Sequence, residues 1–160
     1  MKDRKRAWSR YAALVVAVGL TAVCAFLLWA YLQPLPSTAT PEGTVLRYYR
    51  LMQLGRVGSA QTLFAPELQS VWGAAPPFAL TQELGLVGLR LDGSSPSAPD
   101  PSQGHDYTDN YSEFREVDVL YTQWWGDDMT TSPGGQFREV RLGRKGPGSP
   151  WVILEMGTGG

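Results

Sequence analysis

The side chains best suited to chemistry are a group of tyrosines, a few scattered acids, one histidine and one cysteine. Tyr48, Tyr49 and Met52 stand at helical spacing, and Tyr121 sits in an alternating apolar run. Brought to one cavity, three phenols and a thioether would line a site for a small molecule, with the hydroxyls fixing its orientation. Asp118 belongs to the same run. A carboxylate buried there would hold its proton more tightly and serve as a base. Strict alternation instead sets Asp118 on the face opposite Val117, Val119 and Tyr121, and so reads it as solvated. His105 falls in Gln103-Gly104-His105-Asp106, within a Ser/Pro/Gly-rich stretch that offers a catalytic group no rigid support. Asp100, Asp106, Asp109 and Asn110 carry oxygens a hard cation accepts, as do Asp127-Asp128. Their spacing lacks the glycine and terminal glutamate of a calcium loop, and turn chemistry accounts for them. Asn110-Tyr111-Ser112 is a glycosylation sequon. Trp124 and Trp125 are adjacent, so on a strand they face opposite sides. One is expected in the core, and the other is a candidate partner anchor. No catalytic set, metal-ligand set or cofactor motif emerges, and no cofactor is expected.

The elements that position these residues follow from the distribution of charge. The chain has 160 residues, 14 Lys+Arg and 15 Asp+Glu, a formal net charge of −1, one Cys and one His. A single Cys excludes an internal disulfide, and a single His excludes a multi-histidine metal centre. The first ten residues, MKDRKRAWSR, hold five of the basic residues and one acid. From Tyr11 to Pro41 there is no charged residue. Tyr11–Leu32 is mostly apolar and, as a helix, would span about 33 Å, which matches a hydrocarbon core of about 30 Å. Trp8 and Tyr11 mark one edge, Trp29 and Tyr31 the other, in the manner of an aromatic belt. The segment therefore reads as a membrane helix over residues 11–32. The basic tail is expected in the cytoplasm and everything beyond Leu32 outside it. A cleaved signal is the competing reading, but the run exceeds the usual signal core. Leu20-Thr21-Ala22-Val23-Cys24 departs from a lipobox at Val23, and the apolar run continues past the cysteine.

Beyond this segment nine basic and fourteen acidic residues remain, a net −5. An acidic domain is a poor general binder of nucleic acid or anionic lipid. Gln33–Ala39 reads as a Pro-rich linker. Thr40 suits a helix N-cap, Pro41 the first helical position, Glu42 the positive end of the dipole, and Gly55 the C-terminal cap. Val45, Tyr48, Tyr49 and Met52 form the apolar face, with Arg47 and Arg50 outward. A second helix is expected over Ser59–Phe64, ended by Pro66. Strands are expected over Leu84–Leu91, with a bulge near Gly88, and over Glu113–Trp125, Gln136–Arg144 and Trp151–Met156. Gly93–Ser112 reads as a loop. In the third strand Phe137 is expected at an edge and Val140 and Leu142 inward. Helices and strands are segregated, which predicts an α+β domain over residues 40–160: two helices packed on a curved antiparallel sheet of about four strands.

This arrangement resembles the nuclear-transport-factor-two-like superfamily, the cystatin-like α+β cone. The residues that carry the resemblance are Thr40-Pro41-Glu42-Gly43-Thr44-Val45, Tyr48-Tyr49, Leu51-Met52, Leu54-Gly55, Ala60, Leu63-Phe64 and Pro66. The ending Trp151-Val152-Ile153 with Met156-Gly157-Thr158-Gly159-Gly160 is similar to the closing strand of small membrane-anchored exported bacterial members. The resemblance implies a cone that serves either as a non-catalytic binding module or as a small-molecule or isomerase-like site lined by Tyr48, Tyr49 and Tyr121. The first use is the expectation here, with the bilayer and a protein at the membrane as partners. A deep cavity holding an inward-facing acid would favour the second.

Overall fold

The structure, a computed structural model, describes residues 2–72, 86–97, 109–123 and 134–157, some of them by backbone alone. The chain divides into two compact units, Met1–Pro34 and Leu35–Gly160.

The first unit holds helix α1 (Lys2–Leu32), 31 residues long. Its described large apolar side chains are exposed, from Val23 at 55% to Val15 at 70%. Among the described residues no helix is long and apolar enough to cross a membrane.

The second unit begins with α2 (Pro41–Gln53), and its start follows the sequence closely. The Thr40 Oγ1 accepts from the Gly43 N–H at 3.0 Å, Pro41 occupies the first turn, and Gly55 takes φ 69° past the helix end. Helix α3 (Val57–Gln61) lies earlier than the expected Ser59–Phe64, because Leu63-Phe64-Ala65 leave the helix to run beside the last strand. There the Ile153 N–H donates to Leu63 O at 2.8 Å, and the Ala65 N–H to Ile153 O at 2.9 Å. Pro66 does not end a helix: it opens α4 (Pro66–Trp72). Proline fits a first turn, where its missing N–H would have no partner anyway.

Four strands follow, β1 (Leu86–Pro96), β2 (Glu113–Gln123), β3 (Gly134–Arg144) and β4 (Val152–Gly157). They pair antiparallel in the order β1-β2-β3-β4. The α+β class and the four-stranded antiparallel sheet agree with expectation. The boundaries do not all agree. Gly93–Pro96, read as loop, continues β1, because Ser94 and Ser95 pair with Val117 and Glu116. Pairing with a long neighbour overrides the loop character of Gly and Ser. The bulge expected near Gly88 is present between Val87 and Arg90, with Gly88 at φ 66°.

Val117, Val119, Val140 and Leu142 are fully buried on one face of the sheet, beneath α2 and α3. Val45, Tyr49, Leu51, Met52, Ala60 and Phe64 complete this core. Phe137 lies on the opposite face, 36% exposed, in register with Leu120. A second, smaller core of Ala65, Tyr111 and Leu154 covers that face at one corner. Gly143 makes it possible: a Cβ there would meet Leu154 Cδ1 at 2.8 Å and Tyr111 Cγ at 3.0 Å. Helix α4 holds the corner through Glu67, which accepts from Asn110 Nδ2 at 3.2 Å and from the Tyr111 hydroxyl at 3.3 Å.

The segment expected as an extended, semi-rigid linker is partly built into the second unit. Leu35 packs against the main core. Arg47 Nη1 donates to Pro36 O at 3.1 Å, and the Trp151 N–H to Thr38 O at 3.0 Å. This close approach depends on Gly43, where a Cβ would sit 2.0 Å from Ser37 O.

Candidate functional site

The docked segment and the two helices behind it enclose a cavity of about 430 Å³. That volume lies in the range of small-molecule sites. Its apolar wall is Leu35, Leu51, Leu63 and Trp151. Its polar groups are Thr38, Arg47, Arg56, Ser59 and Thr62. Local geometry explains their convergence. Arg47 and Leu51 are four apart on α2 and share a face. Gly55 turns the chain, and Arg56, Ser59 and Thr62 then recur every third residue along α3 and its last turn. Thr38 arrives from the other side, held by Trp151. Trp151 itself is buried at 4%, with the Arg144 guanidinium 4.8 Å from its ring centroid.

Among the described residues the lining carries two guanidinium groups, three hydroxyls and no carboxylate, imidazole or thiol. These residues are rich in hydrogen-bond donors. Elsewhere among the described residues the arginines that form ion pairs are Arg141, with Glu155 at 2.9 Å and Glu116 at 3.7 Å, and Arg144, with Glu113 at 2.5 Å.

The tyrosines singled out by sequence do come together, but in the packed core. Tyr49 and Tyr121 are buried, with ring centroids 5.9 Å apart. Tyr48 meets Tyr49 and Phe64 edge-on at 5.2 and 5.7 Å. Met52 is buried in the same cluster. The Tyr121 oxygen accepts from Arg138 Nε at 2.8 Å. None of these residues lines the cavity described above. Asp118 is half-buried on the far face, in register with Gly93 and Glu139, as alternation predicts. Trp124, Trp125, His105, Asp100, Asp106, Asp127 and Asp128 lie outside the described residues. Among the described residues no group of three or more His, Cys, Asp or Glu side chains is placed to hold a metal ion. Cys24 is exposed on α1. In α1 Tyr11, Trp29 and Leu32, chosen as marks of the apolar span, are exposed.

Sequence reasoning missed Thr38, Arg56, Ser59 and Thr62. The three-residue recurrence of Arg56, Ser59 and Thr62 is a legible signal. The approach of Thr38 is not, because it is made by contacts distant in the chain. No family model matches the chain, and no curated protein or solved structure matches it.

Proposed function

We propose that this is a single-pass membrane protein whose second unit is a non-catalytic binding module on the far side of the membrane from its basic tail. The observation that carries the reading is α1 itself: a helix with a charge-free run Tyr11–Leu32 whose described large apolar side chains are exposed. Leaving a large apolar side chain in water forgoes about 1.5–3 kcal/mol. Summed over the exposed ones of α1, the loss is on the order of 20 kcal/mol. A bilayer removes that loss, and the helix meets its own backbone hydrogen bonds there. Lys2, Arg4, Lys5, Arg6 and Arg10 then stay on the cytoplasmic side, and the acidic unit lies outside. Binding of a ligand is supported by a cavity lining that donates hydrogen bonds.

We assign the second unit to the cone-like superfamily it resembles. Support comes from the order of two helices, a short segment bridged in parallel to the last strand, a third helix and four antiparallel strands. The anchor is tested by alkaline carbonate extraction of membranes from expressing cells. The wild-type chain is expected in the pellet. Leu20→Arg places a charge at the centre of the span at a cost of about 2.5–3.5 kcal/mol, and a larger share is expected in the supernatant. Release of the wild-type chain would reject the anchor.

A further inference from the structure

We propose that the cavity between the docked segment, α2 and α3 binds a phosphate ester, with Arg47 and Arg56 gripping the phosphate and the apolar wall holding its organic body. The proposal rests on the binding-module reading, but not on the membrane anchor.

The argument starts from charge. The chain beyond Leu32 is acidic, net −5, yet among the described residues the cavity lining holds two guanidinium groups and no acid. Neither Arg47 nor Arg56 takes part in the ion pairs that Arg141 and Arg144 form. Each guanidinium carries five N–H donors, and Pro36 O takes one of those on Arg47. Two cations that border one cavity repel each other, and an anion between them reverses the sign of that term. The acidic surround keeps anions away in general, so a local cationic hollow is selective rather than sticky.

The donor inventory then separates anion classes. A carboxylate presents two oxygens and is satisfied by one guanidinium fork. This lining offers two forks and the hydroxyls of Thr38 and Ser59, while the Thr62 hydroxyl donates to Ser59 O at 2.8 Å. A phosphate ester presents three or more oxygens and suits that surplus. Leu35, Leu51, Leu63 and Trp151 leave the rest of the space apolar, which suits an ester with a carbon body over inorganic phosphate.

Phosphate esters reach such a cavity either as lipid headgroups or as soluble metabolites, and the test separates the two. The full chain in phosphatidylcholine nanodiscs is titrated calorimetrically with phenyl phosphate, with benzoate and with benzyl alcohol. Phenyl phosphate is expected to bind at least tenfold more tightly than benzoate, and benzyl alcohol not measurably. Arg56→Gln and Arg47→Gln are each expected to weaken phenyl phosphate at least tenfold. Arg90→Gln removes the same charge from β1 and is expected to change it less than twofold. Arg56 is exposed, and the two hydrogen bonds it makes, to Leu51 O and from the Ala60 N–H, are backbone bonds that Arg56→Gln leaves in place, so its variant reads the site without loosening the fold. In phosphatidylglycerol nanodiscs, weaker phenyl phosphate binding identifies the lipid headgroup as the occupant, and unchanged binding identifies a soluble ester. Absence of phenyl phosphate binding, or binding indifferent to both Arg47→Gln and Arg56→Gln, overturns the proposal. Repeating the titration with the full chain free of lipid keeps this result separate from failure of the anchor.

Discussion

Replacing Gly43 by alanine tests whether Leu35–Ala39 is a structural wall or a loose tether. By helix propensity alone the change is favourable by about 0.5–1 kcal/mol. Here the new Cβ would stand 2.0 Å from the Ser37 carbonyl oxygen and 2.9 Å from Thr40 Oγ1. The first neighbour is backbone, so the segment must move rather than a rotamer. Moving it endangers the Arg47–Pro36 and Trp151–Thr38 bonds, worth about 0.5–1.5 kcal/mol each. It also strains the Thr40 cap, worth about 1 kcal/mol. The packing of Leu35 on the core is lost in part as well. The net expectation is a destabilisation of about 2–3 kcal/mol, which lowers the melting temperature of a unit this size by roughly 6–15 °C. Gly58→Ala supplies the matched control, since no atom lies within 4 Å of its Cβ and it too sits in a short helix. It should be neutral or slightly stabilising. Both variants are read by thermal denaturation of the full chain in one detergent, followed by near-ultraviolet circular dichroism. Equal melting temperatures for Gly43→Ala and Gly58→Ala would refute the docked segment.

Further outcomes follow from the same packing. Gly143→Ala drives a methyl into Leu154 and Tyr111 and should cost about 1–3 kcal/mol in chemical denaturation, with the main core unaffected. Ile153→Ala removes a fully buried side chain that also aligns the Leu63–Ala65 segment, and a loss of about 2–5 kcal/mol is expected in the same assay. Arg141→Gln breaks a half-exposed bridge to Glu116 and Glu155. It should cost under about 1 kcal/mol, and the difference should shrink as salt is raised.

What was legible in the sequence is what short-range physics decides. Thr40, Pro41 and Glu42 announce the start of α2 because a cap is a contact three residues long. Val117, Val119 and Tyr121 announce β2 and its inner face because alternation maps directly onto burial. Pro66 was ambiguous in kind: the same ring ends one helix or opens the next, and only the bridge of Phe64 to Ile153 decides. Ser94-Ser95 join β1 through pairing with β2, against their local preference. The candidate site was the least legible part. Arg47, expected outward, is half-buried and shares a helix face with the buried Leu51. That it faces a cavity depends on Leu35 and Thr38, which are brought there by Gly43 and Trp151. The tyrosines attracted attention by their chemistry, but their size serves the core.

The sidedness of single cysteines measures the central claim most directly. In a Cys24→Ala background, Lys145→Cys places a thiol on an exposed turn of the second unit, and Ser9→Cys places one in the basic tail. Right-side-out membrane vesicles are treated with a membrane-impermeant maleimide, with and without detergent. The account predicts labelling of Lys145→Cys in intact vesicles and of Ser9→Cys only after detergent, with both chains retained in the carbonate pellet. Equal labelling of the two in intact vesicles, the opposite order, or a chain that leaves the membrane in carbonate would contradict it.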